Sequence, residues 1–234
     1  MKKNLFSAVL ILLLLVAMLP LPAHAETKAD YLSHVSFFGD STTYGLIRYI
    51  VENDGHLGKP VAKLSRDQIL VPPDGTFYLR NLPTAKIRYR EHDLPLTEAF
   101  CKASPEILIV TVGINGLPTW TEDDFRSYYG RLLDLIETAS PSTQIVLQSV
   151  YPTAKERSQK LVAFTVDKID RLNEWISTLA RERSLPYLNT ASALKGDDGW
   201  LVASYHNGDG MHLNTEGFNR VLTYIADHPI KKGS

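Results

Sequence analysis

Ile107-Leu108-Ile109-Val110-Thr111-Val112, followed at once by Gly113-Ile114-Asn115-Gly116, is the stretch that decides the fold. Apart from Thr111 the run is aliphatic on both faces, so a strand built from it needs cover on both sides. That is the condition of a strand inside a parallel sheet flanked by helices. Outward from it the same alternation recurs. Gln144 to Val150 is a second buried strand, and His34 to Gly39 is a short aromatic and β-branched strand that stops at Gly-Asp. Between these strands lie helical patterns. Leu46, Ile47, Ile50 and Val51 mark one. Thr121-Glu-Asp-Asp opens another as a capping residue followed by acids, with Phe125, Tyr128, Tyr129, Leu132, Leu133 and Ile136 on one stripe. A long helix is expected from about Gln159 to Arg183, with Leu161 and Phe164 among its inward residues, then a short strand at Leu185 to Leu188 and a last helix from Thr215 to His228. Residues 55–83 read as a loop with brief strand candidates such as Phe77 to Leu79, and Lys86 to Arg90 as a possible strand. Alternating strands and helices of this length imply right-handed crossovers and a three-layer α/β/α sandwich around a mostly parallel sheet.

The 234 residues carry 25 basic against 26 acidic side chains, a net charge of −1, with seven His and one Cys. This balance provides no basic footprint for nucleic acid, and one Cys forms neither a disulfide framework nor a structural zinc site. The first 25 residues read as a cleaved secretory signal peptide: Lys2 and Lys3, the apolar run Ala8 to Leu19, then Ala23-His24-Ala25 as the processing site. The other reading of the segment is a retained membrane anchor, since Asn4 to Ala23 is uncharged over 20 residues. Cleavage leaves residues 26–234 as a single slightly acidic domain, exported to the cell exterior, or to the periplasm where there is an outer membrane, with no stable membrane insertion. Cys101, alone in an exported chain, is expected to be a buried apolar residue.

In an open parallel sheet, ligands bind beyond the carboxyl ends of the strands. The residues found there are Gly39-Asp40-Ser41-Thr42, then Gly113-Ile114-Asn115-Gly116, and, before the last helix, Gly208-Asp209-Gly210-Met211-His212. Acyl transfer needs a nucleophilic hydroxyl, a base, a group that orients the base, and donors for the developing oxyanion. Ser41, His212, Asp209 and Asn115 supply one of each, with the Ser41 N–H as a further donor. Each motif alone also has a plain reading as a turn or a helix cap. His206, Asp209 and His212, spaced every three residues, raise a metal site as well, but no further ligand stands out.

Gly39-Asp40-Ser41, Gly113-x-Asn115 and Asp209-x-x-His212, in this order and wide spacing, resemble the first, third and fifth blocks of the GDSL-like, or SGNH, hydrolases. The resemblance spans about His34 to Ile225. It implies a flavodoxin-like α/β/α fold and ester hydrolysis without a metal or organic cofactor, often on acyl or acetyl esters of carbohydrates and lipids. By the resemblance Ser41 is the nucleophile, His212 the base and Asp209 its support, while Ser41 N–H and Asn115 bind the oxyanion. Gly116 stands where the family commonly has Asp. A second-block glycine would add an oxyanion N–H, and Gly75 in Pro72-Pro73-Asp74-Gly75-Thr76 is chosen over Gly58. The expected function is a secreted esterase acting on short acyl, above all O-acetyl, groups of carbohydrate. Trp120 and Trp200 are candidates for stacking on sugar rings. The alternatives are a lysophospholipase or thioesterase using the same residues, or a non-catalytic glycan-binding protein on the same fold. An α/β-hydrolase is set aside, because its Gly-x-Ser-x-Gly elbow needs Gly where Thr43 stands.

Overall fold

Five parallel strands set the frame, in a computed structural model that describes residues 27–53, 63–160 and 163–230. They are β1 (Val35–Gly39), β2 (Ile69–Leu70), β5 (Ile107–Thr111), β6 (Gln144–Gln148) and β7 (Tyr187–Leu188), in spatial order β2-β1-β5-β6-β7. This is the doubly wound order in which the chain reverses direction between β1 and β5, and the crevice at that reversal is where such sheets hold ligands. Pairing is in register from Val35 opposite Ile107 to Gly39 opposite Thr111, and from Ile107 opposite Gln144 to Val110 opposite Leu147. All five β5 side chains are buried, as a strand covered on both faces requires.

On one face, Phe38, Leu108, Val110 and Leu147 pack against α3 (Leu96–Ala103), α4 (Glu122–Ala139) and α6 (Val166–Glu182). On the other, Phe37, Ile69, Ile109 and Val146 meet α1 (Lys28–Ser33), α2 (Ser41–Asn53) and α7 (Thr215–Asp227). Helix starts follow local chemistry. The Thr121 hydroxyl accepts from Asp124 N–H at 3.2 Å, and the Asn214 side-chain Oδ1 accepts from Gly217 N–H at 3.0 Å. No helix among the described residues is long and apolar enough to cross a membrane. Residues 1–25, read from the sequence as a signal peptide, and Gly58 lie outside the described residues.

Three expectations change, and a fourth, the strand at Lys86, is met in an unforeseen sheet. The helix expected from 159 to 183 is two helices, α5 (Lys155–Lys160) and α6, because the Thr165 hydroxyl accepts from Lys168 N–H and starts a new one. Phe164 therefore precedes the second helix; Leu161 lies outside the described residues. The strand at Lys86 is real, but β3 (Lys86–Tyr89) pairs antiparallel with β4 (His92–Pro95) in a separate two-stranded sheet. Phe77 to Leu79 is not a strand; a short 3₁₀ turn covers Leu79–Asn81. Cys101 is exposed, since Leu96, Ala99 and Phe100 form the inward stripe of α3 and position 101 turns outward.

Candidate active site

Gly39, Asp40 and Ser41 each have a distinct physical task where β1 meets α2. A Cβ on Gly39 would lie 1.9 Å from Thr43 Oγ1 and 2.7 Å from the Thr111 carbonyl oxygen, so only glycine lets the strand end abut the first helical turn. Asp40 caps that turn. Its Oδ1 accepts from Thr42 N–H at 3.0 Å and from the Thr42 hydroxyl at 2.8 Å, and its carbonyl oxygen accepts from Thr43 and Tyr44 N–H. Ser41 follows as the first helical residue, half-buried, at the end of the helix where the dipole favours negative charge. Asp40 is fully buried and its Oδ2 has no hydrogen-bond partner; Thr43 Oγ1 beside it is likewise bare. Burial pushes the Asp40 carboxyl up to about 6, against the lowering effect of the Thr42 bonds and of His212.

His212 comes from the loop before α7, and that loop is held from several sides. Asn207 N–H donates to the His212 carbonyl (2.9 Å), Ala154 N–H to the Gly210 carbonyl (2.8 Å), and Asp209 N–H to Asn207 Oδ1 (3.1 Å). Gly210 adopts φ +76, and a Cβ there would come within 3.1 Å of Arg157 Cβ and 3.2 Å of Ala154 Cβ, so glycine is needed on both counts. The loop sets a hydrogen-bonded chain. His212 Nδ1–H donates to Asp209 Oδ2 at 2.6 Å, leaving Nε2 as acceptor of the Ser41 hydroxyl at 2.9 Å. Asp209 Oδ1 also accepts from Met211 N–H (2.8 Å) and His212 N–H (2.9 Å). Partial burial alone would raise the Asp209 carboxyl, but the His212 side chain and the two backbone donors outweigh it and hold Asp209 below its ordinary value. The carboxylate thus stays ionised to orient the ring.

Asn115 sits at the end of β5, across the crevice. One of its amide hydrogens goes to the Phe77 carbonyl at 3.1 Å, and the second remains available. It lines a cavity of about 350 Å³ with Tyr78, Arg80, Ile114, Gly116, Pro118, Thr119, Trp120 and Phe164. Gly116, which departs from the common family pattern, has φ +139, and a Cβ there would fall 2.7 Å from Trp120 Nε1. Trp120 is fixed by an indole N–H bond to the Gly113 carbonyl at 3.1 Å, and the Arg80 guanidinium lies 4.4 Å from its ring centroid. One face of that ring is therefore covered already. Trp200 is half-buried and does not line this cavity.

Gly75 is a correction. Its N–H closes a turn onto the Pro72 carbonyl at 2.9 Å and so is not a free oxyanion donor; its φ of +75 and its packing on Tyr44 account for the glycine instead. His206 Nδ1 accepts from Gly208 and Gly210 N–H, while Asp209 bonds His212 instead. Among the described residues no three His, Cys, Asp or Glu side chains form a group that would hold a metal. The sequence reading passed over Asp40 as a buried acid, and Tyr78, Arg80 and Phe164 as cavity walls. Only Asp40 had a legible signal, as the polar residue ahead of a helix start.

With this geometry in place the relatives fall into line. The profile described as the GDSL-like Lipase/Acylhydrolase family matches residues 37–220. The chain belongs to that family, and membership points to ester hydrolysis. Among solved structures, a GDSL-like lipase from Bacteroides thetaiotaomicron is 20% identical with a TM-score of 0.55, covering 88% of this chain and 91% of that one. A lipase/acylhydrolase from Enterococcus faecalis is 14% identical with a TM-score of 0.53, covering 84% and 98%. An acetyl xylan esterase is 15% identical with a TM-score of 0.56, covering 84% and 99%. At these identities the likeness establishes the shared α/β/α fold. No curated protein matches the sequence.

Proposed function

We propose that the protein is an exported serine esterase that removes short acyl groups, O-acetyl above all, from carbohydrate. The observation that carries this reading is the chain Asp209–His212–Ser41, with links of 2.6 and 2.9 Å ending on a hydroxyl at the head of a helix. In the proposed reaction, Ser41 Oγ attacks the ester carbonyl carbon while His212 Nε2 takes the hydroxyl proton. The oxyanion forms against Ser41 N–H and the Asn115 amide, and His212 returns the proton to the departing alcohol. Water, activated by the same imidazole, then cleaves the acyl-serine and restores Ser41. Asp209 holds the ring in the tautomer both steps need and balances the imidazolium.

Support for a carbohydrate alcohol comes from the aromatic wall of the Asn115 cavity, formed by Tyr78, Trp120 and Phe164, and from the fold shared with an acetyl xylan esterase. Export rests on Lys2, Lys3, the apolar run and Ala23-His24-Ala25. The test is hydrolysis of 4-nitrophenyl acetate and of acetylated xylo-oligosaccharides by the protein and by Ser41→Ala, with the fold checked by circular dichroism. Activity lost in a folded Ser41→Ala supports the mechanism, and full activity retained overturns it. Faster turnover of long-chain than of acetyl esters would move the assignment to the lysophospholipase or thioesterase reading.

A further inference from the structure

Asn115 lies between two glycines, Gly113 at φ +120 and Gly116 at φ +139. Glycine leaves a backbone free to take many conformations, so this loop restrains the Asn115 side chain little by itself. The restraint comes from outside, where residues 77–80 meet the loop at two points. We propose that Arg80 is a positioning residue for the reaction, which holds the Asn115 amide in place for the oxyanion by gripping Thr119 and Trp120. The inference rests on the esterase reading above.

The first point is Phe77. Its ring is buried and packs edge-on against Phe38 of β1 at 5.1 Å between centroids, and Leu79 is buried two residues on. The backbone here is therefore anchored to the core. The Phe77 carbonyl takes one Asn115 amide hydrogen at 3.1 Å. A carbonyl only accepts, so this bond selects the orientation in which Nδ2 faces the strap and keeps the second N–H on the same nitrogen for the oxyanion. The opposite orientation would turn a carbonyl oxygen toward developing negative charge.

The second point is Arg80. Its Nη1 donates to Thr119 Oγ1 at 3.0 Å and its Nη2 to the Thr119 carbonyl at 3.3 Å. The Thr119 hydroxyl passes the link on, donating to the carbonyl of Gly116 at 3.1 Å, one residue from Asn115. The guanidinium also lies 4.4 Å from the centroid of Trp120, whose indole N–H closes the loop onto the Gly113 carbonyl. One contact lets the loop pivot about Phe77, whereas two contacts fix its register against the strap. The planar fork of Arg is suited to this, because it reaches two acceptors and a ring face at once.

Arg80 also sits 3.8 Å from Asp124, but both side chains are about half exposed, so that ion pair adds little to global stability. Loss of Arg80 should thus be felt at Asn115 far more than in the fold.

A double-mutant cycle tests this. kcat and KM for 4-nitrophenyl acetate are measured in the protein, Arg80→Met, Asn115→Ala and the double variant, with urea midpoints alongside. The expected kcat of Arg80→Met is about 10- to 100-fold lower, the scale of loss when a reacting group is misplaced by about 1 Å. KM should stay within about twofold, and the loss should vanish in the Asn115→Ala background, where nothing remains to be positioned. An unchanged kcat in Arg80→Met, or the same fold-loss in the absence of Asn115, overturns the proposal. Thr119→Val removes the hydroxyl that Arg80 grips and reads the same link should Arg80→Met fail to fold. A second measurement follows the Asn115 side-chain amide by NMR in isotope-labelled protein, its pair of signals assigned by their loss in Asn115→Ala. In Arg80→Met the pair should shift toward the position of a free amide and exchange faster with water; a pair that stays in place overturns the proposal. Should no ester be cleaved, the esterase reading fails while this spectrum still decides whether Arg80 holds Asn115.

Discussion

Replacing Asp40 by Asn isolates a buried charge directly behind the proposed nucleophile. Asp40 is fully buried, one oxygen is bound by Thr42 and the other meets nothing. Burial raises its carboxyl from 3.8 to about 6, so the folded protein holds this proton more tightly than the unfolded chain. The sign follows. The stability tied to this group is fully present below about pH 4, where both states are protonated, and is lost as pH rises through 6, where the folded state must bury the charge. At 1.36 kcal/mol per pH unit, the gap between 3.8 and about 6 corresponds to roughly 3 kcal/mol lost by pH 8. Asn is neutral throughout, and its oxygen can still accept from Thr42. Urea unfolding at pH 4, 5, 6, 7 and 8 should therefore show Asp40→Asn gaining stability relative to the parent by about 3 kcal/mol across the series, with the steepest change between pH 4 and 6. Unfolding curves that stay a constant distance apart at every pH would refute the reasoning.

Other expectations follow from the same geometry. His212→Ala should lower kcat for acetyl esters by about 10²–10⁴, and Asn115→Ala by about 10²–10³. In both, steady-state kinetics should show the loss in kcat rather than in KM alone. Gly39→Ala would drive a Cβ into Thr43 and the Thr111 carbonyl, and should cost about 3 kcal/mol or more by urea unfolding. The β3–β4 hairpin turns on Arg90 and Glu91 at φ +43 and +64. Arg90→Asn with Glu91→Gly should thus raise stability by about 1 kcal/mol, read as a higher urea midpoint.

What the sequence disclosed tracks how much of each feature is local. Ile107 to Thr111 announced a strand because five consecutive residues satisfy two apolar faces at once, and Thr121 announced its helix by a cap and three acids. The first two family motifs were legible because each stands directly after a strand, and the third because its Asp209 and His212 lie three residues apart just ahead of a helix. The β3–β4 hairpin stayed hidden because its turn uses Arg90-Glu91, whose left-handed backbone carries no Asn-Gly signal. Helix α3 is only eight residues, framed by Pro95 and by Ser104 in the left-handed region, and its Leu96, Ala99 and Phe100 spacing is too short to stand out. The Thr165 cap was present in the sequence but was masked by apolar residues on both sides of it. Gly75 shows a different limit: a glycine in the right segment says that the backbone is special, while where its N–H points is a tertiary fact.

The central claim is that Ser41 is a nucleophile activated by His212. Its most direct measurement is intact mass and peptide mapping after incubation with a fluorophosphonate, which forms a covalent phosphonyl ester only with an activated hydroxyl. A single adduct on the peptide containing Ser41, absent in Ser41→Ala and strongly slowed in His212→Ala, is the predicted result. No adduct on the folded protein, or one on a serine other than Ser41, would contradict the account.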